Sequence, residues 1–76
     1  MTDAELIHSL EVRAKQPSCH ATVLLTADEI NHLHKLVGYG YIDYVSPIEI
    51  QVGLVYEYLF DAKQELARRV AIALSK

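Results

Sequence analysis

The sequence predicts an all-α fold: one small domain over residues 1–76, built from three helices that form a helical hairpin and a long C-terminal helix. Three observations lead to this fold class. The 76 residues are 51% hydrophobic and 22% charged, which is typical of a compact chain and not of a disordered one. A hydroxyl side chain stands three residues before a glutamate at three places. Apolar residues then recur at the three- and four-residue spacing of a helix face.

Each hydroxyl and glutamate pair predicts a helix start. The hydroxyl oxygen accepts a hydrogen bond from the third helical N–H, and the glutamate reaches back to the N–H of the capping residue. At the third start, Pro47 stands at the first helical position, where its missing N–H costs nothing. The three predicted capping boxes are Thr2 with Glu5, Thr26 with Glu29, and Ser46 with Glu49.

The first predicted helix runs from about Asp3 to Gln16, and Pro17 ends it. Residues 18–25 follow as a connector, whose β-branched side chains favour a short extended segment. The apolar face of this first helix consists of Leu6, Ile7, Leu10 and Ala14.

The second predicted helix starts at Ala27, and two endings are compatible with the pattern. Gly38 and Gly40 each cost about 1 kcal/mol inside a helix relative to alanine, which favours an end at this point. The apolar spacing nevertheless continues as far as Tyr44, as it would in a helix that extends through both glycines. The predicted buried positions are Ile30, Leu33 and Val37.

The third segment fits two periodicities. Every second residue from 48 to 60 is apolar, as in a strand, which leaves open an α+β fold with a short hairpin around residues 41–60. Val55 and Leu59 interrupt that alternation and belong to a helical spacing. Together with the capping box, they favour a helix from Pro47 to Leu74.

A helix of this length predicts self-association. From Pro47 to Leu74 it would measure about 42 Å, whereas a compact chain of this size has a diameter of roughly 30 Å. The helix therefore either breaks, at Gly53 or at Asp61, or is covered by a second copy. We expect a homodimer, with an interface that consists of Val52, Val55, Leu59, Leu66 and Val70.

The charge distribution favours a protein partner with a basic surface over a nucleic acid. The formal net charge is −3. Residues 1–60 carry eight acids against three cations, a net −5, whereas residues 61–76 carry four cations against two acids. Phosphate binding needs clustered cations, and Arg68 and Arg69 are already explained by their place near a helix C-terminus.

The sequence also predicts a cytoplasmic location. Cys19 has no second cysteine with which to pair, which is typical of a reducing compartment. The acidic N-terminus lacks the basic and apolar regions of a secretory signal. The longest apolar run, Val52–Phe60, is far shorter than the roughly 20 residues that span a bilayer, so we expect no membrane association.

Tyrosines and carboxylates in the second half of the chain form the candidate binding site. Tyrosine joins apolar area to a hydroxyl and is frequent among binding hot spots. Tyr56 and Tyr58 lie two residues apart, so on a helix they cannot both face one core, and some tyrosines should be exposed. The candidate partner-binding residues are Tyr39, Tyr41, Asp43, Tyr44, Glu49, Tyr56, Glu57 and Tyr58.

Motifs of catalysis and cofactor binding are missing from the sequence. It contains no Gly-x-Ser-x-Gly, P-loop or dinucleotide-binding motif. Cys19, His20, His32 and His34 do not have the spacing of a standard zinc site. We therefore expect neither an enzyme nor a bound cofactor or metal.

The functional hypothesis is a non-catalytic accessory or regulatory module that binds another protein and acts as a homo-oligomer. We expect the inhibitor or adaptor type of module, of which phage-encoded proteins are one source. The alternative is an oligomeric protein that responds to a small ligand or a metal. Its site would lie at the subunit interface, near His20, His32 and His34.

Overall fold

The computed structural model describes residues 1–16, 19–39 and 43–75. Within them the elements are α1 (Asp3–Lys15), β1 (Thr22–Leu25), α2 (Ala27–Val37), β2 (Ile48–Gln51) and α3 (Val52–Leu74). The protein is mostly helical, with three helices and a small two-stranded antiparallel sheet. The three predicted helices are confirmed. Of the two strands, the sequence indicates β1 as the extended segment before α2, and β2 lies within the apolar alternation from 48 to 60.

α1 begins and packs as the sequence predicts. The Glu5 N–H donates to the Thr2 hydroxyl at 3.1 Å, and the Thr2 N–H donates to the Glu5 carboxylate at 3.4 Å. The helix ends at Lys15. Pro17, which is predicted to end it, lies outside the described residues. The four predicted core residues, Leu6, Ile7, Leu10 and Ala14, are all buried.

α2 also begins at its predicted capping box, whose two hydrogen bonds are both present. It ends at the first of the two glycines. Gly38 adopts a left-handed conformation with φ of +79°, and its N–H and that of Tyr39 both donate to the His34 carbonyl at 2.9 Å. Such a residue closes a helix, so the alternative of a helix that continues to Tyr44 is wrong. Of the predicted core positions, Ile30 and Leu33 are buried and Val37 is half-buried.

The third predicted capping box is wrong, because its residues lead into a strand. β2 pairs antiparallel with β1, and Val23 lies opposite Ile50. A capping box satisfies two N–H groups, whereas strand pairing satisfies the backbone of both segments and also buries Ile50. β1 is distant in sequence, so no local pattern reveals this pairing. The alternative, a hairpin around residues 41–60, holds in part: residues 48–51 form a strand, but this strand pairs with β1, and the chain is helical from Val52 onward.

α3 is continuous and passes through both predicted break points, Gly53 and Asp61. Its 23 residues measure about 35 Å, and the molecule measures 46 × 26 × 19 Å along its principal axes. Residues 67–75 are all exposed, so the last turns of α3 project beyond the core. None of the described helices is long and apolar enough to cross a membrane.

The core lies where α1 and α2 pack against α3, with one face of the sheet directed towards it. Val23 and Leu25 supply the buried face of β1. At the junction of α1, β1 and α2, the Arg13 guanidinium donates to the Leu24 carbonyl at 2.9 Å and to both carboxylate oxygens of Glu29. The largest fully buried side chains are Leu6, Leu10, Leu25, Ile30, Leu33 and Val55.

Candidate protein-binding surface

The predicted partner-binding tyrosines separate into an inward and an outward group. Tyr44 and Tyr58 turn into the protein and pack around the ring of His34. Tyr56 on α3 and Tyr39 after α2 are exposed to the same extent, 49% and 50%, and Tyr39 contacts both groups. The two groups therefore have different roles in the molecule.

The inward group surrounds a buried histidine. His34 is 5% exposed, and its Nε2 lies 2.9 Å from the Tyr58 hydroxyl oxygen. The ring centroids of Tyr39, Tyr44 and Tyr58 lie 6.0, 5.5 and 5.5 Å from that of the imidazole. The Asn31 amide holds Tyr44 in place through two hydrogen bonds to its backbone, at 2.8 and 2.9 Å. Tyr58 is thus buried in the core, and Tyr44 is half-buried against it.

Burial keeps this cluster uncharged. It holds the pKa of the His34 imidazole below its usual range, because a charged ring loses its hydration there. The buried Nδ1 has no hydrogen-bond partner among the described residues, so the Nδ1–H of an imidazolium would have no acceptor there. Burial, with a contribution from Tyr44, also raises the pKa of the Tyr58 hydroxyl. His34 and Tyr58 therefore meet as a neutral pair.

The outward group is an acidic and aromatic stretch of α3. Tyr56 and Phe60 are 49% and 62% exposed, and they lie four residues apart, so their rings share one face of the helix. Glu57 and Asp61 directly follow them and place two carboxylates along one edge of the rings. These four residues line an open groove of about 380 Å³.

Tyr39 connects the two groups. Its hydroxyl donates to the Asp61 carboxylate at 2.8 Å, and this hydrogen bond and the nearby negative charge raise the pKa of the Tyr39 hydroxyl. Its ring centroid lies 5.6 Å from that of Tyr58. We refer to Tyr39, Tyr56, Glu57, Phe60 and Asp61 as the acidic aromatic surface.

Phe60 and Asp61 complete this surface, although the tyrosine pattern in the sequence does not point to them. The signal that identifies them is the four-residue spacing, which repeats the pair Tyr56 and Glu57 one helical turn later. A search for aromatic and acidic pairs at helical spacing would therefore find both residues.

Besides Tyr44 and Tyr58, the acidic aromatic surface as defined leaves out Asp43 and Glu49. Asp43 is exposed in the segment before β2. Glu49 lies on β2, where its carboxylate accepts a hydrogen bond from the Thr22 hydroxyl at 3.4 Å. Tyr41 lies outside the described residues.

The predicted oligomer interface overlaps the core of a single chain. Val55 and Leu59 are buried in that core and are not accessible to a second copy. Val52 and Leu66 are half-buried against the same core, which leaves Val70 as the exposed member of the stripe. α3 is apolar on more than one side, and the stripe that contains Val55 is the one that packs in the core of the fold.

The histidines of the alternative hypothesis take separate places. His32 Nε2 lies 2.6 Å from an Asp3 carboxylate oxygen, and His34 lies in the core. Cys19 and His20 are exposed in the turn before β1. Across residues 1–16, 19–39 and 43–75, no group of three or more His, Cys, Asp or Glu side chains is placed to hold a metal ion.

Comparison of the chain with protein-family models, with curated proteins and with solved structures finds no match. The acidic aromatic surface combines the exposed rings of Tyr56 and Phe60 on α3 with the carboxylates of Glu57 and Asp61.

Proposed function

We propose that this chain is a non-catalytic accessory or regulatory module whose acidic aromatic surface binds a basic, amphipathic helix. The observation that carries this proposal is the exposure of Tyr56 and Phe60 on one face of α3, with Glu57 and Asp61 along their edge. Exposed rings with charges beside them match the apolar centre and polar rim of a protein interface. Adjacent exposed rings also form a larger apolar patch than scattered surface residues do.

The shape of the surface favours a helical ligand. Tyr56 and Phe60 separate the groove beside Glu57 and Asp61 from a second groove of about 370 Å³ between α1 and α3. A helix laid along α3 would place apolar side chains, at three- and four-residue spacing, in both grooves. The second groove is lined by Glu11, Lys15, Tyr56, Leu59, Phe60 and Lys63.

The charge of the surface favours lysine and arginine at the edges of that ligand. Glu57 and Asp61 lie beside the rings, and residues 1–60 as a whole have an excess of acids. Complementary charges accelerate association and discriminate against acidic competitors. Binding should therefore weaken as the salt concentration rises.

A synthetic peptide tests the proposal. The probe is a fluorescently labelled helix of about three heptads with one apolar face and Lys and Arg at both edges. A matched peptide carries Glu at those edges. We expect saturable binding of the basic peptide, and binding at least about tenfold weaker in Phe60→Ala, because buried aromatic anchors dominate interface energetics.

Leu24→Ala is the control variant. Leu24 is a large apolar residue that is exposed on β1 to nearly the same extent as Phe60 on α3, so its loss should leave peptide binding unchanged. The proposal fails if the basic peptide does not bind, if both peptides bind equally, or if Phe60→Ala binds as well as the unmodified protein.

A further inference from the structure

The exposed face of α3 continues beyond the acidic aromatic surface as a heptad stripe. Its members are spaced alternately three and four residues apart, as in the seam of a coiled coil. Tyr56 and Phe60 directly follow the core residues Val55 and Leu59, so the heptad stripe is rotated by about 100° from the core stripe. The heptad stripe consists of Gly53, Tyr56, Phe60, Lys63, Ala67, Val70 and Leu74, all of which are exposed.

We propose that a second copy of this chain covers the heptad stripe, with the two α3 helices antiparallel. This inference rests on the proposed function and deepens it, because it names the basic helix: the C-terminal half of α3 in the other copy. Residues 52–61 contain two acids and no cation, whereas residues 62–74 contain three cations and one acid. An antiparallel pair brings the acidic half of each helix against the basic half of the other.

The side chains of the heptad stripe complement one another in this orientation. When Phe60 lies opposite Val70 of the second copy, Tyr56 lies opposite Leu74, and Lys63 lies opposite Ala67. Each ring then meets an aliphatic side chain, and the small Ala67 leaves room for the lysine. Leu74, which is 81% exposed, gains the burial that its own chain does not provide. The twofold symmetry of the pair repeats all three contacts.

Charge favours the same register. Asp61 and Arg68 directly follow Phe60 and Ala67, on the same outer flank of the heptad stripe. Within the chain, Arg68 pairs with Glu65, and Asp61 accepts from the Tyr39 hydroxyl. Antiparallel helices bring equal flanks together, so the flank that carries Asp61 in each copy faces the flank that carries Arg68 in the other. A parallel pair would instead place Phe60 against Phe60 and Lys63 against Lys63. It would also place the acidic half of one helix beside the acidic half of the other, where the like charges repel.

Lys63, at the centre of the heptad stripe, fits this pairing. Its Nζ lies 2.5 Å from the Glu11 carboxylate on α1 of the same chain. The alkyl stem can therefore lie along the seam while the ammonium group stays with its carboxylate at the edge. A single polar residue in an otherwise apolar seam fixes the register of a coiled coil.

The first experiment measures the mass of the full chain by light scattering behind a sizing column, at loading concentrations from about 5 to about 500 µM. We expect the mass to rise from that of one chain to that of two. Phe60→Ala should raise the dissociation constant at least about tenfold, and Leu24→Ala should leave it unchanged. A chain that stays monomeric throughout, or a dimer that Phe60→Ala does not weaken, overturns the inference.

The second experiment tests the antiparallel register with two charge variants. Asp61→Arg alone makes the two facing flanks basic, and Arg68→Asp alone makes them acidic, so each variant should dimerise more weakly than the unmodified chain. In a heterodimer of the two variants, residue 61 of each chain faces residue 68 of the other. One of these two pairings has its charges exchanged and the other keeps the original charges, so both are attractive. We expect the mixture to form heterodimers within about threefold of the original affinity.

The mixture also distinguishes weaker association from a damaged fold. Each variant still carries its substitution in the mixture, so a return of affinity shows that the substitution had not prevented folding. A mixture that stays as weak as the separate variants overturns the antiparallel register. A monomeric chain that still binds the basic peptide overturns this inference and leaves the proposed function standing. A monomeric chain that binds neither peptide overturns both.

Discussion

His34 occupies a core position because it stands four residues after Ile30, on the same face of α2. Tyr39, Tyr44 and Tyr58 surround its ring, and the Tyr58 hydroxyl lies at hydrogen-bonding distance from Nε2. The structure has thus placed a titratable group where burial disfavours its charged form. At the scale of single residues, this makes the stability of the fold depend on pH.

We expect the free energy of unfolding to fall on acidification, from about pH 7.5 to about pH 5.5. The pKa of His34 is lowered by burial from the ordinary 6.5, so the unfolded chain takes up the proton first. The contribution of His34 is therefore complete above about pH 6.5 and is lost as the pH decreases. Urea denaturation at both pH values should show a smaller fall for His34→Leu. His8→Gln, at an exposed position of α1, should keep the original fall, and an unchanged fall in His34→Leu would contradict this account.

Arg13→Met should lower the free energy of unfolding by about 1 to 3 kcal/mol at neutral pH, because it leaves a largely buried carboxylate without its charged partner. The Glu29 side chain is only 12% exposed. Burial alone would raise the pKa of Glu29, but hydrogen bonds from Arg13 and Thr26 lower it on balance, which shows that the structure favours the charged form.

Urea denaturation measures this loss, with Lys15→Met as the control. Lys15 is an exposed cation on the same helix, and its replacement should change stability by no more than about 0.5 kcal/mol. Equal effects of the two substitutions would mean that the pair of Arg13 and Glu29 contributes nothing specific.

At the scale of elements, the start of α3 shows strand pairing prevailing over a local helix signal. Gln51 is both the last residue of β2 and the N-cap of α3. Among the described residues its side chain makes no capping hydrogen bond, and the first turn of α3 contains no acidic residue. The capping chemistry of Ser46 and Glu49 is therefore not used at the point where the helix begins.

Gln51→Asp should raise the free energy of unfolding by about 0.5 to 1 kcal/mol, because an aspartate there can accept from the first-turn N–H groups and complements the helix dipole. Thermal or urea denaturation at neutral pH measures the gain. Gln51→Ala is the matched control and should show none.

Unlike α3, α2 starts at a complete capping box, which Thr26→Ala would remove. The substitution removes the hydroxyl that accepts from the Glu29 N–H at 3.2 Å. We expect it to cost about 0.5 to 2 kcal/mol of unfolding free energy, measured in the same way. Stability unchanged by Thr26→Ala would show that the cap contributes little to α2.

At the scale of the whole molecule, one helix serves two surfaces. One side of α3 builds the core through Val55, Leu59 and Ala62, and another carries the exposed heptad stripe. α1 begins beside the far end of α3, where Arg69 Nη1 lies 3.4 Å from an Asp3 carboxylate oxygen. Beyond that ion pair, α3 projects from the core.

A chain that ends after Val70 should therefore keep its fold. Residues 71–75 are exposed, and the pair of Asp3 and Arg69 is retained, so the free energy of unfolding of the dilute monomer should change by less than about 1 kcal/mol. Self-association, measured by light scattering, should weaken at least about tenfold, because the contact between Tyr56 and Leu74 is lost. Loss of cooperative unfolding would show that the projecting turns stabilise the monomer itself.

The sequence by itself determined the features that depend on residues within one or two helical turns of each other. These include the capping boxes of α1 and α2, the end of α2 at Gly38 as one of two alternatives, and the buried face of α1. Only the tertiary structure decided that Glu49 lies in a strand, that His34 is enclosed by tyrosines, and which stripe of α3 is buried. Each of these depends on contacts between segments far apart in sequence, and local patterns carry no information about which of two apolar faces another element will cover.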